Sequence, residues 1–556
     1  MTMLIPYATK LNAINSLTLE RLRDTMSDSV MDFLAEFFIP AASMSDGYKL
    51  DHISQYIDGT EMVCSNLTPR KFSLAAQNQN PLNDSTKVVW FGGQYAIFRL
   101  MEIWTFGFFG QPKEKVMAAI TRRIHNYVGP DKGAKQIEAF SKLHDLGYLP
   151  LRIKMLPEGN HVNANIPVYI VHNTHPEFQW LVNYTETTIS DNSWPLMNAA
   201  SLSEQYYLTS KRYAEKQGAL PFWVAIANHC FAARGHRGDQ DAGMSGMGHL
   251  LFSLGTDTLW AIDYAEKYYG ADSDKGPIGL SVNAFEHATA TQRIAFFNDG
   301  CGLVEAERRS LVDITTNLYP NGLVSYVADS VDYYTLLSVT FKDPELNAAI
   351  LNRKPDALGL CKFVARPDTS PKSPFEVIMG DKDAEPGSPE YKGSLLLLWE
   401  AFSGTTHEHN GRTYRVLNDK VGIIYGEAIT LEMQEKIYAA MDAEGLIVSD
   451  MLLGVGSWAF LKNSSRDSYG VAIKGTHSIV NGIDVPMQKI PKTDMSKASH
   501  RGLLAVYKGD DGDYVVKQDC TWEEFETGEL NEVFLNSKFT RTDVFEDIRK
   551  RAGFVF

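Results

Sequence analysis

The chain has 556 residues, is 44% hydrophobic and 22% charged, and carries a formal net charge of -15 at pH 7. That length admits two or three domains, and that composition excludes a disordered chain. The acidic balance argues against broad nucleic-acid binding, which needs a basic face, while leaving room for local basic pockets that take phosphate.

Five cysteines, Cys64, Cys230, Cys301, Cys361 and Cys520, are odd in number, scattered and without a Cys-x-x-Cys pair. They predict reduced thiols in a cytoplasmic protein rather than a disulfide framework. Sequons at Asn66, Asn83, Asn183 and Asn463 read as chance, because the N-terminus lacks a charged region followed by an apolar one. No apolar run approaches the roughly 18 residues that cross a bilayer.

Residues 1 to about 40 read as an appended helical segment, with apolar Leu22, Met26, Val30, Phe33, Leu34 and Phe37 at helical spacing. Then comes Ser45 to His52, a polar stretch around Tyr48. Val88 to Tyr95 reads as strand, glycine turn and helix start. Residues 112 to 146 predict helices broken at Gly129-Pro130, and residues 148 to 172 predict strands around Pro157-Glu158-Gly159. Residues 176 to 216 are helical again, so the first third is mixed α+β.

From about 219 apolar, strand-like runs alternate with helical stretches. They are Pro221 to Ala227, Gly276 to Val282, Leu323 to Ala328, Cys361 to Ala365, Val421 to Tyr425 and Leu446 to Leu453. This rhythm predicts parallel β/α units, and so many in roughly 260 residues suit a barrel. The expected fold is α/β, an irregular TIM-like β/α barrel over 219–484. A flanking α+β domain takes 41–218 and 485–556, behind the extension at 1–40. A hairpin at Gly509 to Gly512 and a closing helix end the chain.

Barrel enzymes carry their chemistry at the C-terminal ends of the strands. Those ends here hold Phe231, Arg234, Asp257, Ser281, His287, Asp329, Arg366, Asp368, Gly426, Glu427, Gly456 and Ser457. Arginines offer paired donors to phosphate oxygens, and Gly-rich turns let backbone N–H groups approach them. Asp329 and Asp368 could hold Mg²⁺ or ribose hydroxyls. Blander roles exist for each. Arg366 and Asp368 could be a loop ion pair, Asp329 a helix cap, His287 a helix-start histidine, and the glycines plain turns. His407-Glu408-His409 reads as a solvated polar loop, not a metal pair. Gly243, Gly246 and Gly248 have the wrong order for a dinucleotide fingerprint.

Taken together, several stretches resemble the nicotinamide phosphoribosyltransferase family, type II phosphoribosyltransferases related to nicotinate phosphoribosyltransferase. They are Asp46-Gly47-Tyr48 with His52, Phe91-Gly92 with Gln94-Tyr95, Pro157-Glu158-Gly159, and His229 with Phe231 and Arg234-Gly235. Further on stand Gly255-Thr256-Asp257-Thr258, Ser281 with Glu286-His287, Ser325 with Asp329-Ser330, Arg366-Pro367-Asp368, Gly454 with Gly456-Ser457, and Ser465-Arg466-Asp467. They run in family order from about residue 44 to the end.

The resemblance implies the conversion of nicotinamide and 5-phosphoribosyl 1-pyrophosphate to nicotinamide mononucleotide and pyrophosphate. It also implies a homodimer with shared active sites. Phe231 then stacks on nicotinamide, and Tyr48 of a partner subunit covers the other face. Asp257 accepts from the carboxamide N–H₂, and a carboxylate there repels nicotinate. Arg234, His287 and Arg366 contact pyrophosphate, and Asp368 contacts the ribose hydroxyls. Gly426, Gly456 and Ser457 cradle the 5′-phosphate. Arg70 and Arg466 reach the phosphates across the dimer. Ser281, Ser325 and Glu427 join the substrate-binding set, and His287, Asp329, Arg366 and Asp368 form the catalytic one. Mg²⁺ is the implied metal, with Asp329 as ligand, and ATP can phosphorylate His287. Glu427 stands where many relatives have Asp, and Ala232-Ala233 replaces a larger pair. The rival readings are nicotinate phosphoribosyltransferase and a catalytically silent binding relative. Asp257 opposes the first and the retained phosphate residues oppose the second.

Overall fold

The computed structural model describes residues 4–16, 39–72, 74–83, 86–368, 372–462 and 464–555. The apolar series from Leu22 to Phe37 lies outside the described residues. Ahead of it a helix at Pro6–Ser16 docks on the far end of the chain, where Asn12 Nδ2 donates to Phe539 O at 3.0 Å.

A seven-stranded antiparallel sheet unites the two chain ends. One of its interior strands, Thr60–Thr68, exposes only Glu61, because it is covered on both faces. On one side it pairs with Ala472–Val480, followed by Ile483–Pro486. On the other it pairs with Tyr169–Asn173, followed by Leu151–Met155, Asn531–Leu535 and Lys538–Phe539. The sequence grouped residues up to 484 with the parallel strands, yet Ala472–Val480 sits in the antiparallel sheet. Its run of Lys474, Thr476, His477 and Ser478 is not the continuous apolar series of a parallel strand covered by helices. The expected hairpin around Gly509–Gly512 joins Ala505–Lys508 to Tyr514–Lys517.

The second large sheet is parallel. Its order is Asn228–Cys230, Met451–Val455, Val421–Tyr425, Cys361–Arg366, Gly322–Val327 and Asn283–Ala284. The sheet is curled. Asp257 N donates to Cys230 O and Cys230 N to Gly255 O, both at 3.0 Å, while Thr256 N donates to Leu280 O at 2.9 Å. Parallel bridges Cys230–Thr256 and Gly255–Leu280 thus lead from the first strand toward the last. Every strand runs the same way, so all their C-terminal ends share one rim.

The helix Trp194–Gln217 packs against Val88–Val89 and against the helix Leu431–Ala443, and 18 of its 24 residues are buried. A helix covered all round must satisfy its polar groups internally. Ser201 Oγ accepts from Val89 N at 3.0 Å, in the two-stranded ladder of Val88–Val89 with His161–Val162. Ser210 Oγ accepts from Asn228 Nδ2 at 3.1 Å and from Gln434 Nε2 at 3.0 Å on the parallel side.

Two expectations are corrected. Pro221–Ile226 is a short helix, and the strand begins only at Asn228. Proline at the first helical position has its φ already set, and a short apolar run does not separate a strand from a buried helix. Trp223 anchors this helix by donating Nε1–H to Met451 O at 3.0 Å. His407 and His409 lie on a strand, Gly404–His409, paired with Arg412–Leu417 across Asn410-Gly411. Both turn residues have positive φ, 49° and 73°, the backbone that an Asn-Gly hairpin needs. His407 is half-buried and bonds Gln217 O at 3.0 Å, so it is tied to the end of a helix.

Candidate active site

The rim gathers most of the expected residues. His229 and Phe231 stand two apart at the end of the Asn228–Cys230 strand, so they share one face. Their rings lie 4.7 Å apart, and Phe231 N donates to Val455 O at 3.0 Å. Two glycines make room for the Phe231 ring. A Cβ on Gly454 would come within 2.4 Å of it, and one on Gly426 within 3.1 Å. The Arg366 guanidinium lies 6.0 Å from the same ring, at the limit of a cation–π contact. Phe231 is therefore walled by histidine, glycine backbone and arginine.

Asp257 follows on the neighbouring segment. Its Oδ1 accepts from His229 Nε2 at 2.9 Å and from Ser281 Oγ at 2.6 Å. Burial pushes this carboxyl up, but the His229 and Ser281 hydrogen bonds, with Arg366 nearby, hold it below the usual range. The loop beneath is fixed by His249, whose Nε2 bonds Gly255 O at 3.0 Å. Burial lowers His249 to about 4, so its ring is neutral and can donate that bond. Neither His229 nor His249 was assigned a role from sequence. For His229 the signal was present, since it precedes Phe231 by two positions in an extended segment.

A second cluster centres on His287, the first residue of the helix His287–Phe297. Its Nε2 bonds Asp329 Oδ1 at 3.1 Å, and its Nδ1 faces Asp368 Oδ2 at 3.8 Å. Arg366 Nη1 lies 3.9 Å from Asp368 Oδ1, and Arg366 Nη2 donates to Phe285 O at 3.0 Å. Tethered by one nitrogen, the guanidinium keeps other donors for a ligand. Ser325 is buried, and its hydroxyl makes no hydrogen bond among the described residues. Glu307 is buried close by, donated to by Tyr326 Oη at 3.0 Å. Burial, with the charges of Asp332 and Asp329, raises Glu307 to about 7.

The remaining rim residues form the turns. Gly426 and the exposed Glu427 follow Val421–Tyr425, and Gly456 and Ser457 follow Met451–Val455. A Cβ on Gly235 would lie 2.0 Å from Ser457 Oγ, so the turn carrying Arg234 touches the Ser457 turn. A Cβ on Gly456 would meet nothing, so that glycine faces open space. Arg234 is exposed.

Tyr48, Arg70 and Arg466 form a separate group on the antiparallel side. Arg70 donates to Gly470 O at 3.2 Å and Lys497 O at 3.3 Å. Burial and then the Arg466 charge pull Arg70 below its ordinary value. Tyr48 is 66% exposed; slight burial, Asp46 and Glu186 raise its hydroxyl while Arg466 opposes them. A cavity of about 210 Å³ opens at Arg70, with Asn66, Lys474 and His500 in its wall.

Comparison with known proteins gives this arrangement its relatives. Residues 389–538 match the model of the nicotinate phosphoribosyltransferase (NAPRTase) family. A nicotinamide phosphoribosyltransferase of Acinetobacter baylyi is 41% identical over 518 residues, 93% of this chain and 97% of that protein. One of Xanthomonas campestris pv. campestris is 30% identical over 368 residues, 65% of this chain and 69% of that one. Among solved structures, a nicotinate-nucleotide pyrophosphorylase from Pyrococcus furiosus aligns over 92% of this chain and 94% of its own, with 13% identity and a TM-score of 0.49. At 41% identity over nearly the whole of both sequences, the chain belongs to the nicotinamide phosphoribosyltransferases of the nicotinate phosphoribosyltransferase family.

Proposed function

We propose that the chain transfers the 5-phosphoribosyl group of 5-phosphoribosyl 1-pyrophosphate to nicotinamide, yielding nicotinamide mononucleotide and pyrophosphate in NAD salvage. The observation that carries this reading is Asp257, an ionised carboxylate fixed by His229 and Ser281, with His229 in turn packed on Phe231. Phe231 stacks on the pyridine ring, and Asp257 accepts from the carboxamide N–H₂. The negative charge disfavours nicotinate, whose carboxylate would have to face it.

The bond from ribose C1 to the pyrophosphate oxygen breaks, and pyrophosphate leaves with the electron pair. The pyridine nitrogen then forms its bond to C1, held in line by the stacked ring. Arg366 and Arg234 stabilise the charge that develops on the leaving group. Asp368 takes the ribose hydroxyls, Gly426, Gly456 and Ser457 surround the 5′-phosphate, and Ser325 lies in the substrate wall. No acid–base catalyst is required; the two rim arginines meet the charge of the leaving group.

Mg²⁺ takes oxygen ligands, often one or two carboxylates plus substrate phosphate oxygens. Asp329 and Asp368 flank His287 and fit that demand. Mg²⁺ there would neutralise pyrophosphate charge, with Asp329 as its ligand. His287 is the residue we propose to accept a phosphoryl group from ATP, its ring oriented by Asp329.

The curled parallel sheet fits an irregular TIM-like barrel with a flanking α+β domain from both chain ends. The chain is read as a homodimer in which Tyr48, Arg70 and Arg466 serve the partner's rim. A cytoplasmic location accords with five free cysteines and with the lack, among the described residues, of a helix long and apolar enough to cross a membrane. The test is product formation from nicotinamide and the phosphoribosyl donor, with and without ATP. Faster turnover of nicotinate than of nicotinamide would overturn the choice of base.

A further inference from the structure

We infer that His229 is the positioning residue of the base subsite, tying Asp257 and Phe231 together so that only one carboxylate oxygen is presented to the carboxamide. The inference rests on the reading of Asp257 given above and extends it.

The argument starts from hydrogen-bond capacity. An ionised carboxylate only accepts, so the 2.9 Å contact requires His229 to carry a proton on Nε2. Ser281 donates to the same Oδ1 at 2.6 Å. Both protein donors are spent on that atom, and Oδ2 makes no hydrogen bond among the described residues. The Asp257 side chain is 40% exposed, so Oδ2 can face an incoming N–H₂ group. A carboxylate tied at one oxygen cannot turn about its last torsion, and that pre-organises the other oxygen.

His229 itself has little freedom. Its side chain is 10% exposed. A Cβ on Gly255 would come within 2.9 Å of its Nδ1, so the imidazole lies against glycine backbone. Gly255 is in turn held through its carbonyl by His249 at 3.0 Å. The other neighbour of His229 is the Phe231 ring at 4.7 Å, tilted by 40°. One imidazole thus sets the carboxylate that reads the amide and borders the ring that reads the pyridine. Phe231 and Asp257 come from different segments, and His229 is the side chain that touches both.

The experiment removes the donor from the protein and the N–H₂ group from the substrate, separately and together. Nicotinamide and 3-acetylpyridine, which keeps the ring and carbonyl but lacks N–H₂, are assayed as acceptors. The full-length enzymes are wild type, His229→Leu, His229→Gln, His229→Asn and Asp257→Asn. Glutamine can place an N–H near the position of Nε2, whereas asparagine is too short. The expected result is a loss of nicotinamide kcat/KM on the order of tenfold to a hundredfold in His229→Leu and His229→Asn, the range of a hydrogen bond to a charged group. That loss falls mainly in KM, 3-acetylpyridine changes far less, and His229→Gln recovers most of it. Equal losses for both acceptors, or failure of glutamine to do better than asparagine, would overturn the inference. The Gln/Asn pair keeps the test decisive should His229→Leu not fold. If Asp257→Asn abolishes the preference for nicotinamide but His229→Leu does not, only the role of His229 falls. If Asp257→Asn leaves the preference intact, the underlying reading of Asp257 falls with it.

Discussion

The strand-end rim and the face bearing Tyr48, Arg70 and Arg466 carry similar residues in opposite electrostatic conditions. On the rim two acidic groups are hydrogen-bonded within the chain, Asp257 to His229 and Asp329 to His287, while Arg234 and Glu427 are exposed. On the antiparallel side the cations crowd one another. Arg70 is depressed first by burial and then by Arg466, against Asp467 and Asp494, and Lys474 is depressed first by burial, with Arg70, Lys489 and Arg466 adding to it and Glu186 opposing them. Like charges in a partly buried cavity are costly unless anions neutralise them, and here Glu186, Asp467 and Asp494 offset them only in part. The rim thus holds its acidic groups by hydrogen bonds within the chain, whereas the other face gathers cations that burial disfavours.

The largest expected effect breaks the rim at its cation. Arg366→Ala should lower kcat by about a hundredfold to a thousandfold, the scale for losing one fixed donor to developing charge. Single-turnover kinetics would measure it, and a change confined to KM would remove Arg366 from the chemical step.

Next comes the carboxylic acid beneath the rim. Glu307 is raised to about 7 from 4.5. A raised carboxyl binds its proton more tightly folded than unfolded, so its stabilising contribution is complete below about 4.5 and is lost as pH rises through about 7. Glu307→Gln should flatten that fall, worth up to about 3 kcal/mol. Denaturant titrations at pH 5 and pH 8 would show it, and an unchanged pH slope would contradict it.

Asp257→Asn sharpens the comparison on the recognition side. It should lose selectivity for nicotinamide over nicotinate by about tenfold to a hundredfold. Competition between the two bases in one assay would measure this, and unchanged selectivity would refute the role of Asp257.

The smallest signal tests whether the second face serves another subunit. Arg366→Ala and Arg466→Ala chains, mixed under exchange, should regain about a quarter of wild-type activity. Half of the dimers are then mixed, and in those one of two sites has both surfaces intact. No recovery on mixing would return Arg466 to its own chain's rim.

Much of the rim was legible in sequence because parallel strands end on one edge, so reading where each apolar run stops collects Asp257, Asp329, Arg366 and Gly456. The rule failed where the run itself was ambiguous. Pro221 to Ala227 is apolar enough for a strand, yet proline opens a helix there and the strand starts at Asn228. It also failed at Ala472–Val480, since sequence order says nothing about which sheet a later strand joins.

The sequence by itself determined the residue types at the rim, the alternation of strand and helix, and the family, since these depend on local order and on motifs in register. Only the tertiary structure decided that two protein donors converge on one oxygen of Asp257, that His229 touches both Asp257 and Phe231, and that Tyr48, Arg70 and Arg466 stand apart from the rim. Hydrogen bonds between segments 24 and 28 residues apart depend on chain curvature, which no local pattern encodes.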